Sequence, residues 1–157
     1  MKVLIVYDSR SGNTEKMAYA VEEGVKKVGV ETILKKIDEA SVDMLPNIQG
    51  LIIGSPTYYG TPTSKIKAFI DESVKYHGKL DGMVGGAFTS AGGTHTGAET
   101  TIIALNEMLL VHGMIIQGSS AGNHYGVSSV GSPDDNVKEA CRNLGERVAT
   151  LVKKLHA

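Results

Sequence analysis

Apolar positions along the chain follow two alternating rhythms. Val3-Leu4-Ile5-Val6-Tyr7 runs without a polar interruption, the pattern of a strand buried on both faces of a parallel sheet. From Asn13 the period lengthens. Met17, Ala18, Val21, Val25 and Val28 recur at helical spacing, with Glu22, Glu23, Lys26 and Lys27 on the other side. Gly29 supplies a stop just past the helix end. Val30–Ile37 predicts a second strand nearer an edge, Gly50–Gly54 a buried third, Met83–Thr89 a fourth and Met114–Gln117 a fifth. Helical patterns fill Pro62 to Val74, Ala98 to Val111 and Pro133 to Leu155, with a further helical turn near Ser41–Leu45. Five strands alternating with four helices predict an α/β architecture with a parallel sheet and helices on both faces. Residues 1–157 contain no internal repeat, linker or low-complexity stretch and read as a single domain.

Doubly wound sheets bind ligands beyond the carboxyl ends of their strands, which directs attention to the loops there. After the first strand, Ser9, Arg10, Ser11, Gly12, Asn13 and Thr14 lead into a helix. Hydroxyls and backbone N–H groups converge there at the positive end of a helix dipole, a site suited to a phosphate dianion. An ordinary capping loop is the bland alternative to a phosphate site, and Arg10 reads as a solvated loop arginine ahead of a phosphate contact. The chain has no G-x-x-x-x-G-K-[ST], and this turn lacks G-x-G-x-x-G, which disfavours an ATPase or a Rossmann dinucleotide site. After the third strand, Pro56, Thr57, Tyr58, Tyr59 and Gly60 place two tyrosines at the same edge. They suit a flat aromatic ligand or simply pack as a surface turn. After the fourth, Thr89, Ser90, Ala91, Gly92, Gly93, Thr94 and His95 offer unobstructed backbone groups for a heterocycle edge.

Composition narrows the function. Sixteen Lys and Arg against 17 Asp and Glu leave a formal charge of −1. That disfavours a nucleic-acid partner, and equally the strong acidity by which many electron carriers steer their partners. One cysteine excludes an intramolecular disulfide or a Cys-based zinc site, and no His pair has metal-ligand spacing. No apolar run reaches the length of a membrane span and no signal peptide is evident, so the cytoplasm is the expected compartment. Glycine is abundant, 19 residues of 157, against a usual ~7%, and it gathers in these loops. Asp8 at the end of the first strand invites comparison with a phosphoacceptor domain. The companion acids and the lysine after the fifth strand are missing.

The residues Ser9-x-x-Gly12-Asn13-Thr14, Gly54-Ser55-Pro56-Thr57-Tyr58-Tyr59-Gly60, Phe88-Thr89-Ser90-Ala91-Gly92-Gly93-Thr94-His95-x-Gly97-x-Glu99-Thr100-Thr101 and Leu110-x-His112-Gly113-Met114 resemble those of flavodoxin-fold FMN proteins. Within that group they resemble the WrbA-type NAD(P)H:quinone oxidoreductases, over nearly the whole chain. The resemblance implies a flavodoxin-like three-layer sandwich with a five-stranded sheet in the order 2-1-3-4-5. It implies that the first loop holds the FMN phosphate and the other two the isoalloxazine, with His112 near the flavin. NAD(P)H is the implied electron donor and a quinone-like molecule the acceptor, in ping-pong order, with His112, His95 and Tyr59 as catalytic candidates. A flavodoxin that shuttles single electrons between partner proteins is the alternative. The chain departs from the WrbA pattern by lacking a segment after the second strand and much of the loop after the fifth. It also lacks the tryptophan near the substrate position, where Tyr76 or His77 stands instead.

Without the resemblance, His112 reads as a helix-end histidine favoured by the dipole, and His95 as a solvated loop residue. Cys141 falls on the apolar face of the last helix and reads as inert core. Ala98 to Val111 is apolar nearly all round. A sheet covers only one side of such a helix, so the expectation is a homodimer or homotetramer interface on the other.

Overall fold

A computed structural model describes all 157 residues. Strands β1 (Lys2–Tyr7), β2 (Glu31–Lys36), β3 (Gly50–Pro56), β4 (Val84–Ala91), β5 (Ile115–Ile116) and β6 (Val127–Val130) alternate with helices α1 (Asn13–Lys27), α2 (Ser64–Glu72), α3 (Ala98–Val111) and α4 (Asp135–His156). The sheet is parallel throughout, ordered β2-β1-β3-β4-β5, with β6 also pairing β4. Successive residues of β1 point to opposite faces. Val3 and Ile5 join Met17, Val21, Leu144 and Val148 beneath α1 and α4, while Leu4 and Val6 join Ile66, Phe69, Leu105 and Leu109 beneath α2 and α3. Every residue of β3 and β4 is buried, as expected of central strands covered by helices on both faces.

The expected five strands become six. β5 pairs only with Val84 and Gly85, at the start of β4, whereas β6 pairs with Phe88 to Ala91 at its end. One strand position at the edge of the sheet is thus filled by two short pieces, with residues 117–126 looping out between them. Val127-Ser128-Ser129-Val130 is too short and too rich in serine to show strand periodicity in sequence.

Helix limits moved for capping reasons. The Thr63 hydroxyl caps α2 by accepting from the Ile66 N–H, so Pro62 lies outside. Asp134 caps α4 by accepting from Val137 N at 2.8 Å, which leaves Pro133 in the preceding turn. The turn foreseen near Ser41–Leu45 is a 3-10 helix over Val42–Asn47. No helix is long and apolar enough to cross a membrane.

Candidate functional site

Three loops meet at the carboxyl edge of the sheet. In the first, Gly12 takes φ +89°, ψ −3° at the N-cap of α1, a left-handed conformation that costs a side-chain-bearing residue about 1–2 kcal/mol. This turn carries the chain around a concavity of donors. The backbone N–H groups of Arg10, Ser11, Asn13 and Thr14 donate to no acceptor in the protein. Ser9 Oγ accepts from Gly12 N at 3.1 Å and Glu15 N at 3.3 Å, so its own proton remains free to donate outward. Unpaired N–H groups at a helix start form a receptor for a phosphate group. Thr14 Oγ1 meets Ser90 Oγ at 2.7 Å and ties this receptor to the end of β4. Tyr7 Oη donates to Glu15 Oε1 at 2.8 Å and pins the first turn of α1. Burial and the Glu15 carboxylate hold the Tyr7 phenol above its ordinary pKa.

The second and third loops are laced together by hydroxyls. Thr89 Oγ1 donates to the Ser55 carbonyl at 2.6 Å, so the 2.8 Å contact with Thr57 Oγ1 has Thr57 as donor. Thr57 N donates to Ser90 O at 2.7 Å. Tyr58 and Thr61 exchange both backbone hydrogen bonds around a tight turn in which Tyr59 (φ +50°) and Gly60 (φ +76°) are both left-handed. His95, in the third loop, shares that unusual geometry at φ +56°. Non-glycine residues held there carry backbone strain, which clusters at ligand-binding edges. Gly97 bridges the two loops: a Cβ on it would lie 2.5 Å from Gly60 Cα. Thr100 Oγ1 donates to Gly60 O at 2.8 Å. Tyr58 is partly exposed, and Tyr59 stands wholly free in solvent.

Most of the residues expected at the site converge at this edge: Ser9 to Thr14, Pro56 to Gly60 and Thr89 to His95. Arg10 is exposed and lines clefts on the α2 side of the 57–61 turn, clefts to which none of Ser11 to Thr14 contributes. His112 is the clear exception. It follows α3, three residues before β5, at the amino edge of the sheet and so at the end opposite the three loops. There it is only 7% exposed. Its Nε2 lies 2.7 Å from Ser73 Oγ, whose one proton goes to Ile70 O. Nε2 therefore carries the imidazole proton, and the buried Nδ1 has no partner. Burial and neighbouring His77 lower its pKa. Within one chain, then, His112 does not face the edge where the three loops meet; the parallel crossover puts the start and the end of α3 at opposite edges.

Sequence reasoning also passed over residues that hold the edge in shape. Asp8 accepts from Thr63 Oγ1 at 2.7 Å and joins the first loop to the cap of α2. Thr100 and Glu15 act similarly. The partners of Asp8 and Thr100 lie 55 and 40 residues away, beyond any local pattern.

Residues 5–151 match the family model for flavodoxin. The chain belongs to the flavodoxin family. It is 39% identical over 160 residues to a flavodoxin of Aquifex aeolicus, covering 96% of this chain and 86% of that one. It is 35% identical to an NAD(P)H dehydrogenase (quinone) of Sinorhizobium fredii, covering 98% of each. That alignment runs over 195 positions where this chain has 157 residues, so the relative carries segments this chain lacks. The structure of a flavodoxin, WrbA-like protein from Agrobacterium tumefaciens superposes with a TM-score of 0.84 at 27% identity, covering 98% of both chains. These similarities bear out the WrbA-type relationship. They make the protein an FMN flavoprotein, and the donor set fits that cofactor: unpaired N–H groups at the start of α1 for the phosphate, and backbone-rich turns for the ring.

Proposed function

We propose that this flavodoxin-family protein is an FMN-dependent oxidoreductase that takes two electrons from NAD(P)H and passes them to a quinone-like acceptor in ping-pong order, in the cytoplasm. FMN, when bound, supplies the redox chemistry. The chain's own residues bind and orient. Arg10, Ser11, Asn13 and Thr14 would receive the phosphate through their N–H groups, and the hydrogen-bond chain from the Thr57 hydroxyl through the Thr89 hydroxyl to the Ser55 carbonyl holds the two ring loops at fixed separation. Tyr59 forms a rim at which a second flat molecule docks, and His95 would hold or release a proton at an acceptor oxygen. The observation that carries this reading is an open cleft of about 750 Å3 against Thr57, Tyr58 and Tyr59. It lies within the range of small-molecule sites, roughly 300–1,000 Å3, and gives a second small ligand room beside the flavin turn.

The second reading is a one-electron carrier. It is favoured by the Aquifex flavodoxin, which aligns at 39% identity over 160 positions without the long insertions of the dehydrogenase alignment. Anaerobic mixing of the FMN-loaded protein with NADH or NADPH separates the two. Rapid bleaching followed by reoxidation with benzoquinone supports the enzyme. No bleaching, with a stable half-reduced spectrum on stepwise dithionite addition, supports the carrier.

A second copy of the chain is proposed to cover the outer face of α3, where Ile103, Leu110 and Val111 are 40%, 55% and 70% exposed. Light scattering that reports a monomer at micromolar concentration would sink this assembly.

A further inference from the structure

α4 carries a polar stripe on the far side of the molecule from the three loops. Asn143, Arg147, Thr150 and Lys154 recur every three or four residues, the spacing that puts side chains on one side of a helix. With Gln117, just past β5, they line a cavity of about 290 Å3 whose one apolar wall is Leu151. β5 pairs only with the start of β4, and Val152 packs over Gly50 at the start of β3. The cavity therefore lies toward the amino edge of the sheet, and no residue of the three loops lines it. Its donors are committed to little. Arg147 Nε donates to Gln117 O at 3.2 Å, which orients the guanidinium and leaves its terminal N–H groups without a protein acceptor. Arg147 and Lys154 enter no ion pair. The one carboxylate in the lining, Glu146, is held by Lys27 at 2.7 Å. One cation already answers that carboxylate, so Arg147 and Lys154 stand in excess. Arg147 is half-buried, and burial lowers its pKa with no neighbouring carboxylate acting against the shift. Such a guanidinium has given up part of its hydration for a single carbonyl.

We propose that this cavity is a second oxyanion site, one that takes a phosphate dianion, free or as the end of a phosphomonoester. The guanidinium fork of Arg147 receives two phosphate oxygens, and Lys154 supplies the second positive charge. Asn143 and Thr150 offer further donors. Two cations in excess favour a dianion over a monocarboxylate. The volume is at the lower end of small-molecule sites, roughly 300 Å3, which suits a phosphate group rather than a whole nucleotide. Nothing in the site depends on the redox reading.

The test titrates inorganic phosphate into the isotope-labelled, FMN-loaded protein, whose cofactor phosphate receptor is then filled, and follows backbone amides and arginine Nε–H groups by NMR. Above neutral pH, where phosphate is a dianion, the Arg147 Nε–H and the amides of Gln117 and Lys154 should shift saturably. Acetate at equal ionic strength should bind more weakly. Arg147→Gln should weaken phosphate about tenfold or more. Lys154→Gln, at an exposed position that the fold does not need, should weaken it roughly twofold to fivefold. Lys75→Gln removes a cation already engaged by Asp43 and Glu72 on the opposite face of the sheet, and should leave binding unchanged. Methyl phosphate identifies the source: tighter binding than inorganic phosphate assigns the site to a phosphorylated ligand, equal or weaker binding to the free ion. Phosphate that moves these signals no more than acetate does overturns the site. So do a Lys154→Gln variant indistinguishable from Lys75→Gln and shifts confined to residues 9 to 14.

Discussion

Gly97 is where the account of the flavin edge is most exposed to test. Alanine there must adopt φ +98°, at a cost of about 1–2 kcal/mol for an L-residue. Its Cβ would also sit 2.5 Å from Gly60 Cα, 3.1 Å from Thr100 Oγ1 and 3.4 Å from Gly60 N. Two of those neighbours are backbone atoms and cannot rotate away, so one loop has to move, and overpacking of this kind costs about 1–3 kcal/mol. Together Gly97→Ala should destabilise the fold by about 2–5 kcal/mol, within reach of a domain whose total stability is about 5–15 kcal/mol. The melting temperature should fall by roughly 5–15 °C. On the proposed assignment of this turn to the flavin ring and of residues 9 to 14 to its phosphate, FMN and riboflavin affinities should drop by the same factor. Urea unfolding of the apoprotein gives the first quantity, and quenching of flavin fluorescence the second. A stability within 0.5 kcal/mol of wild type, with both flavins bound as before, would show that the 57–61 and 92–97 loops do not touch as described.

Other consequences are simpler to read. Tyr59→Gly relieves a left-handed tyrosine and should leave stability unchanged or raise it by up to about 1 kcal/mol, while NAD(P)H reduction slows; a loss of stability on urea unfolding would mean that the side chain packs in the free protein. Cys141 is fully buried and its thiol pKa is pushed up to about 12 by burial, so Ellman's reagent should label it only in urea. Labelling of the native protein at the rate of free cysteine contradicts its burial. His112 has a pKa lowered from 6.5, so between that lowered value and 6.5 the unfolded chain binds a proton that the folded chain refuses. Stability should therefore rise with pH across that window and fall as pH drops below about 6.5. His112→Gln should flatten this limb in urea midpoints taken from about pH 5 to pH 8; an unchanged slope assigns it to other groups.

How much of this was legible in the chain varied with the range of the interactions. β1 and β3 were readable because strands buried on both faces leave apolar runs, Val3 to Tyr7 and Leu51 to Ile53, while β4 was readable from Met83-Val84 and Ala87-Phe88 despite the two glycines between them. Ser9 to Thr14 and Thr89 to His95 were readable because a loop between a strand and a helix start leaves a local composition. β6 was not, since its four residues include two serines and it is held by pairing with Phe88 to Ala91 rather than by a pattern of its own. The bonds from Asp8 to Thr63 and from Thr100 to Gly60 were equally hidden, because only the sheet order brings those segments together. His112 shows the opposite failure. Its motif marks a helix end, and only the direction of α3 reveals that this end lies away from the flavin edge.

If the unpaired N–H groups of Arg10, Ser11, Asn13 and Thr14 hold the phosphate of FMN, as proposed above, the apoprotein must distinguish FMN from riboflavin. Side-by-side titration of the apoprotein with FMN and riboflavin tests this most directly, since the two ligands differ in that phosphate. FMN should bind more tightly by at least a hundredfold, since two charge-assisted hydrogen bonds of about 1.5–3 kcal/mol net each already supply that factor. Gly12→Ala should erode the FMN affinity while leaving riboflavin nearly untouched. Equal affinities for the two flavins would contradict the assignment.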